Sequence, residues 1–268
     1  MDSGGDGELL DRLEDVLDRR TPLRSLDALA RSLDQASTVE IDVRSAAFAI
    51  DSSVLLRLAT HRRSADILDY LPGHTAPVVV PGQTIQEFWN NQLTVIDTVS
   101  SSIEKRFAQL ADEVEKIAPE FADVREKMSE LLRSFETDYG HVWQGSTRDS
   151  LSRMLTILRS SARTDYVPRD RFGRMASARK ASKTPPGFKD DGDGDFLVWS
   201  DLLFSLLKAV EEGQEFASVV LLTNDTKKDW SSGGRPHPLL CAELDALVQK
   251  PLACWTLEEF ISQLGSIA

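Results

Sequence analysis

The sequence has few of the residues that build metal knuckles and disulfide frameworks. Its 268 residues include two cysteines, Cys241 and Cys254, and four histidines. Two cysteines cannot form a zinc knuckle and do not suggest a disulfide scaffold, so a reducing compartment is expected. The histidines do not have the spacing of metal ligands; they lie at positions 61, 74, 141 and 237.

Segments that direct a chain into a membrane are also missing. The first twenty residues are acidic, whereas a signal peptide begins with a basic region followed by an apolar one. The longest apolar runs have the length of strands and are too short for a membrane span. We therefore expect a cytoplasmic protein with no membrane partner.

Several common catalytic and nucleotide-binding motifs are absent. There is no P-loop, no G-x-G-x-x-G, no G-x-S-x-G and no H-E-x-x-H. The segment DGDGD at 191–195 resembles the start of an EF-hand loop, but Phe196 stands where that loop needs Gly and Leu202 where it needs Glu. The carboxylates therefore remain as candidates for functional groups.

The charge of the chain is negative overall but unevenly distributed. A net charge of −12 argues against a bulk cationic nucleic-acid binder. Between Arg148 and Lys189, however, eleven Lys or Arg residues stand against three Asp. Basic side chains there could contact phosphates, with Tyr166 and Phe172 available to stack on a base; the candidates are Arg159, Arg163, Arg169, Arg171, Arg174, Arg179 and Lys180. A solvated loop accounts for this pattern equally well.

Short apolar segments alternate with amphipathic ones, and this predicts an α/β fold. The predicted strands are AAFAID at 46–51, APVVVPG at 76–82, FASVVLLT at 216–223 and LACWT at 252–256. Helical patterns lie between them and extend to about residue 163, whereas 164–195 is expected to be a polar loop. Strands that alternate with helices imply a parallel sheet covered on both faces.

The chain is predicted to have an N-terminal helical extension and one larger domain. The extension spans residues 1–40, and the domain spans 41–268 with a helical and basic insertion at about 100–189. Two amphipathic helices in the extension carry Leu9, Leu10, Leu13, Val16 and Leu17 on the first, and Leu26, Leu29, Ala30 and Leu33 on the second. These faces either pack against the domain or contact a second copy of the chain or a regulatory partner.

Four carboxylates fall where a parallel sheet collects ligands. Asp51 ends the first predicted strand, and Asp225 lies just past the VVLLT strand. Glu87 lies near the start of the helix after the second strand, and Asp195 starts the apolar helix that precedes the VVLLT strand. Because the carboxyl ends of parallel strands meet at one edge of a sheet, we expect these side chains to lie close together.

Gathered carboxylates repel one another and attract a cation. Mg²⁺ or Mn²⁺ suits an open site of oxygen ligands and can support phosphodiester hydrolysis. Each acid also has a local alternative: Asp51 and Asp195 as helix caps, Asp225 as a turn residue, and Glu87 with Thr84 as a capping box. Four independent caps need not share one sheet edge, which favours the metal site.

Four segments, in this order, resemble the blocks of the PIN-domain superfamily. They are FAIDSSVLLRL, VVVPGQTIQEFWNNQL, GDGDFLVWSDLL and VVLLTNDTKKDW, and they are most similar to the PIN-like branch with a long helical insertion. The resemblance extends from about Ala46 to Leu264. It implies a three-layer α/β/α nuclease fold and Mg²⁺- or Mn²⁺-dependent hydrolysis of phosphodiesters, usually in RNA.

The same resemblance implies roles for individual acids. Asp51, Glu87, Asp195 and Asp225 match the catalytic metal-binding set, and Asp229 matches an auxiliary ligand. On this basis we predict an endoribonuclease. A catalytically silent binding or scaffold protein of the same fold is the alternative, although all four acidic positions are filled.

Two departures from the branch pattern lie beside these acids. Ser53 replaces an Asn, which removes an amide able to orient a ligand, and Asn224 replaces an Asp, which lowers the negative charge next to Asp225. Ser52 and Ser53 either cap the following helix or donate hydrogen bonds to a substrate phosphate. The substrate-binding candidates are therefore Ser52, Ser53, Arg169, Arg171, Arg174 and Lys180.

Overall fold

The computed structural model describes residues 3–34, 41–58, 61, 63–90, 109–110, 112–114, 116, 126–130, 149–225 and 227–265. The chain forms two compact units, one of Met1–Phe88 and Ile157–Ala268 and the other of Trp89–Thr156. The N-terminal helices and residues 157–189 thus share a unit with all the predicted site residues. Most of the helical pattern predicted between 107 and 148 lies outside the described residues.

A parallel five-stranded sheet forms the centre of the first unit. Its strands are β1 (Ala46–Ile50), β2 (Val78–Val79), β3 (Ala162–Arg163), β4 (Ser218–Leu222) and β7 (Leu252–Trp255), in the order β3-β2-β1-β4-β7. Four of the five are the predicted strands. Strand β3 was missed because two residues, one of them charged, carry no apolar run.

Helices of the first unit flank the sheet. The described helices include α1 (Ser3–Leu17), α2 (Ser25–Leu33), α3 (Ser52–Leu58), α4 (Ser64–Tyr70), α5 (82–90), α6 (149–161), α7 (Arg169–Ala181), α8 (Gly194–Glu211), α9 (Pro238–Val248) and α10 (Leu257–Gly265). A short antiparallel hairpin of β5 (Ser231–Ser232) and β6 (Arg235–Pro236) follows β4. None of the described helices is both long enough and apolar enough to cross a membrane.

Alternate residues of β1 enter opposite layers of the fold, as strand geometry requires. Ala47 and Ala49 belong to the same buried cluster as Trp199 of α8, together with apolar residues of α1, α7 and α9. On the other face, the ring of Phe48 lies 4.8 Å from that of Phe260 in α10. The architecture is therefore the expected three-layer α/β/α fold.

Residues 164–195 are not the polar loop that was predicted, because helix α7 occupies their centre. Its buried face consists of Phe172, Met175, Ala176 and Arg179, which have the i, i+3, i+4, i+7 spacing of an amphipathic helix. Basic residues are as numerous as apolar ones in this helix and obscured the pattern. Phe172 is fully buried, so it cannot stack on a base.

The two N-terminal helices differ in how they use their apolar residues. Helix α1 buries Leu13 and Leu17 in the main core and contacts α8 and α9, so it has the packing role. Helix α2 contacts α9, but Leu26 and Leu33 are 81% and 73% exposed. The predicted apolar face of α2 therefore lies in solvent.

A buried carboxylate in α8 joins three segments of the chain. Asp201 is 0% exposed. It accepts hydrogen bonds from the backbone N–H groups of Gln83 at 2.7 Å and Val167 at 2.8 Å, and from both Nη atoms of Arg169 at 2.8 Å each. The bidentate ion pair and two amides satisfy the charge that burial would otherwise make costly.

A second buried carboxylate, Glu243 of α9, has a similar role. It accepts hydrogen bonds from Arg179 Nη1 at 2.9 Å and Trp199 Nε1 at 2.7 Å, and it pairs with Arg19 at 2.7 Å. Arg179 also donates to the carbonyl groups of Leu17 and Pro185. Helices α1, α7, α8 and α9 are thus held together by one polar cluster.

We expect Asp201→Asn to lower the free energy of unfolding by about 2 kcal/mol, because it breaks a buried ion pair while Arg169 keeps partial access to solvent. Urea unfolding followed by tryptophan fluorescence measures this change. Arg174→Ala in α7, the helix that contains Arg169, is the control, since Arg174 is exposed and has no ion pair among the described residues. Its effect on the free energy of unfolding should stay within about 0.5 kcal/mol. Equal stabilities for the two variants would contradict the role given to Asp201.

Candidate active site at the carboxyl edge of the sheet

Asp51 and Asp225 lie at the carboxyl ends of adjacent strands. The register of β1 and β4 pairs Ile50 with Leu222, and the N–H of Asp51 donates to the carbonyl of Leu222 at 3.0 Å. Thr223 connects the two acids, because its Oγ1 donates to Asp51 Oδ2 at 2.9 Å and accepts from the N–H of Asp225 at 3.0 Å. Sheet pairing therefore joins residues that are far apart in sequence.

Ser53 orients the carboxylate of Asp51. Its Oγ donates to Asp51 Oδ2 at 2.7 Å and accepts from the N–H of Asn224 at 3.0 Å. Serine thus replaces the amide of the family pattern with a hydroxyl that bonds the acid directly. Ser53 and Asn224, the two residues that depart from the pattern, are therefore hydrogen-bonded to each other, Ser53 through its side chain and Asn224 through its backbone N–H.

Ser52 links Asp51 to Glu87. Its Oγ lies 2.8 Å from Glu87 Oε2 and 3.5 Å from Asp51 Oδ1. Glu87 Oε1 accepts a further hydrogen bond from Gln83 Nε2 at 3.3 Å. The alternative capping box is not formed, because Thr84 Oγ1 is buried without a hydrogen-bond partner within the described part of the chain.

The start of α8 approaches Glu87 so closely that a residue larger than glycine at position 194 would displace the Glu87 carboxylate. A Cβ atom added at Gly194 would lie 2.6 Å from Glu87 Oε1. Gly194 immediately precedes Asp195, so the glycine brings the acid of α8 to the same edge as Glu87. Of the predicted set, Asp51, Glu87, Asp195 and Asp225 are all found there.

Asp195 shares a hydrogen bond with a carboxylate that sequence reasoning missed. Burial, and then the hydrogen bond with Asp190, raise the pKa of Asp195 to about 7. The same hydrogen bond, together with Lys227, lowers the pKa of Asp190. Trp230 Nε1 donates to Asp195 Oδ2 at 3.1 Å. Below about pH 7 the two acids therefore share one proton, with Asp195 as its preferred carrier.

Lys227 is the second residue that sequence reasoning missed. Its Nζ lies 2.7 Å from Asp190 Oδ2, 3.0 Å from Asp225 Oδ2 and 3.2 Å from Asp195 Oδ2. Burial opposes a charged amine, but the hydrogen bonds to Asp190 and Asp225 raise the pKa of Lys227 well above its usual range. Its place two residues after Asp225 is the signal by which the sequence could have indicated this lysine.

The fifth predicted acid, Asp229, is buried and accepts a hydrogen bond from a backbone turn. The side chain is 2% exposed, and Oδ2 accepts a hydrogen bond from the N–H of Gly187 at 2.9 Å. Gly187 has a φ of +77°, and a Cβ there would lie 2.8 Å from Asp195 Cβ. Asp229 thus fixes a turn that packs against Asp195. Its role as an auxiliary metal ligand stays a prediction.

Most of the basic candidates bind carboxylates of the protein itself. Arg169 pairs with Asp201, Arg171 with Asp11 and Glu14, Arg163 with Glu212, Arg179 with Glu243, and Lys180 with Asp193. Arg179 is also buried, so it cannot follow a substrate phosphate. Arg159 and Arg174 are exposed and have no ion pair among the described residues. Substrate contact by Arg169, Arg171, Arg174 and Lys180 stays a prediction.

The donor atoms at this edge suit a hard cation. Within the described residues no three His, Cys, Asp or Glu side chains are arranged to hold a metal ion as they stand. The acids form two neighbouring groups instead, one joined through Ser52 and the other around Lys227. All of their possible ligand atoms are oxygens, which hard divalent cations prefer, and the ammonium group bound by three carboxylates marks a place that attracts positive charge.

The indole N–H signal of Trp230 should report the protonation of Asp195. In protein treated with EDTA we expect this NMR signal to titrate with a midpoint near pH 7, following the pKa of Asp195. Because that pKa lies above the unfolded value of about 4, the contribution of Asp195 to stability is fully present below about pH 4 and is lost as pH rises from 4 through 7. Asp195→Asn should abolish the titration, with Trp199 as an internal reference. A midpoint below about 5 would contradict the shared proton.

A comparison with protein families agrees with this geometry. The family described as PIN like domain matches residues 47–171 and 144–240, which together make up more than half of the chain. No curated protein and no solved structure matches the chain. The matched ranges contain all five predicted acids, and the resemblance seen in the four sequence segments is confirmed. The chain belongs to the PIN-like domain family.

Proposed function

We propose that this protein is a Mg²⁺- or Mn²⁺-dependent endonuclease that hydrolyses phosphodiester bonds, with RNA as its main substrate. Membership of a nuclease-type family supports the general class of activity. The observation that carries the proposal is the meeting of Asp51, Glu87, Asp195 and Asp225 at one edge of the sheet, where hydroxyl and amide groups orient them. The preference for RNA rests on the family resemblance.

In this proposal Asp51 and Asp225 hold the principal metal ion, and Glu87 and Asp195 complete the site. The bound cation would act as a Lewis acid toward water and the phosphodiester. The chain's own contribution is orientation: Ser53 and Thr223 both donate to Asp51 Oδ2 and so fix the plane of that carboxylate. A fixed first ligand lowers the entropy lost when substrate and cation bind.

Neighbouring side chains set the charge of the remaining acids. The proton shared by Asp190 and Asp195 and the ammonium of Lys227 reduce repulsion at the edge. Arg159 and Arg174 are exposed basic groups that can contact substrate phosphates outside the carboxylate group. Contacts of this kind would make RNA binding weaken as salt concentration rises.

A catalytically silent binding protein of the same fold is the second candidate. The observation that favours it is Lys227, whose ammonium group already neutralises Asp225 and Asp195. Such a protein would keep the acids as an internal ion-pair network. Metal binding and cleavage separate the two functions.

Cleavage of labelled single-stranded RNA and DNA, with Mn²⁺, Mg²⁺ or EDTA, tests the proposal. We expect cleavage of RNA with either metal and none with EDTA. Asp51→Asn and Asp225→Asn should each be at least about 100-fold slower, because loss of a ligand exceeds the effect of losing an outer partner. Glu215→Gln is the control, since this exposed carboxylate lies before β4, at the opposite edge of the sheet.

Two outcomes would decide against the nuclease. If the wild-type protein cuts neither substrate with any metal and calorimetry detects no Mn²⁺ binding, the binding-protein function is favoured. If cleavage persists in both Asp variants, the catalytic residues lie elsewhere. Cleavage of DNA alone would retain the mechanism and change the substrate.

A further inference from the structure

The ammonium group of Lys227 holds oxygens that the proposed metal ion would need. Its contacts to Asp195 and Asp225 both involve Oδ2, at 3.2 Å and 3.0 Å. The remaining oxygen of Asp225, Oδ1, accepts the backbone N–H of Lys227 at 2.9 Å. Lys227 therefore engages both oxygens of Asp225, one through its side chain and one through its backbone.

A metal ion and an ammonium group weaken each other's binding when both contact the same carboxylate oxygens. Mg²⁺ binds carboxylate oxygens at about 2.1 Å and demands octahedral geometry, so a neighbouring ammonium is both a steric and an electrostatic obstacle. Two positive charges at one carboxylate also repel each other. A divalent cation that binds Asp195 and Asp225 must therefore move the Lys227 side chain away.

The surroundings of Lys227 allow that movement. The side chain is 41% exposed, and its four-carbon stem can rotate without a change in the backbone. Its shortest contact, 2.7 Å, is to Asp190 Oδ2, and Asp190 is not among the acids assigned to the metal. Asp190 can keep the ammonium nearby when the other two carboxylates change partner.

We propose that Lys227 is a tethered counter-ion that competes with the divalent cation for Asp195 and Asp225 and so sets the protein's affinity for metal. The inference rests on the proposed function, because it requires that the cation binds these acids. Lys227 is a positioning residue in this role. Without a metal ion, its positive charge holds the three carboxylates together. When a metal ion binds, competition from Lys227 makes the affinity lower than it would be for the acids alone.

Calorimetric titration with Mn²⁺ tests this without any measurement of activity. Lys227→Met keeps most of the length of the side chain and removes its charge. We expect it to bind Mn²⁺ roughly tenfold more tightly than wild type, because two partly exposed ion pairs no longer compete with the metal. Lys227→Arg retains the competing charge and should stay within about twofold of wild type. Lys228→Met is the matched control, because Lys228 is the adjacent exposed lysine and has no ion pair among the described residues.

A thermal melt provides a second readout. In EDTA, Lys227→Met should melt below wild type, because Asp190, Asp195 and Asp225 lose their shared cation, and saturating Mn²⁺ should remove the difference. Lys228→Met should melt with wild type under both conditions. The rescue by Mn²⁺ separates loss of the counter-ion from a general folding defect.

The outcomes distinguish this inference from the proposed function. Equal or weaker Mn²⁺ binding by Lys227→Met, with wild type binding normally, overturns the competition and leaves the nuclease proposal standing. Absence of Mn²⁺ binding by wild type and every variant overturns the metal site, and with it both proposals. Tight binding by Lys227→Met alone, with wild type unable to bind, supports the inference and shows that Lys227 closes the site.

Discussion

Repulsion between carboxylates at one edge of a parallel sheet is the constraint on which the candidate site depends. Asp51 and Asp225 arrive there because β1 and β4 are adjacent. The protein answers the repulsion in three ways: hydroxyl donors from serine and threonine side chains, a proton shared by Asp190 and Asp195, and the ammonium of Lys227. Each lowers the cost of gathering negative charge and leaves the acids accessible from the sheet edge.

Two buried carboxylates stabilise the framework that carries this edge. Asp201 binds the start of α5, the segment before α7 and the guanidinium of Arg169, so one residue of α8 fixes the start of two other helices. Glu243 joins α1, α7, α8 and α9 through two arginines and an indole. Buried charges of this kind are tolerated only when they are fully paired. Arg169 and Arg179, two of the basic residues between 148 and 189, therefore stabilise the fold.

The acids of the site were predictable because strand ends are visible as the ends of apolar runs. Asp51 follows such a run directly and Asp225 lies three residues past the end of another. In a parallel sheet the carboxyl ends of the strands lie at one edge, so both acids are expected there. The capping alternative for Glu87 could be settled only by tertiary contacts, since Thr84 is buried and Glu87 turns to Ser52. The partners of the arginines were out of reach, because a carboxylate 32 residues away leaves no local signal for Arg169.

The amino-acid sequence by itself determined the α/β fold, the family and the position of four acids at one edge of the sheet, because apolar periodicity and short motifs are local properties of the chain. The tertiary structure alone decided which charges meet. Lys227 is near Asp225 in sequence, yet its contacts with Asp190 and Asp195 exist only because α8 and the turn held by Asp229 bring them to the end of β4. Electrostatic pairing depends on distance in space, and residues far apart in sequence acquire that distance only through folding.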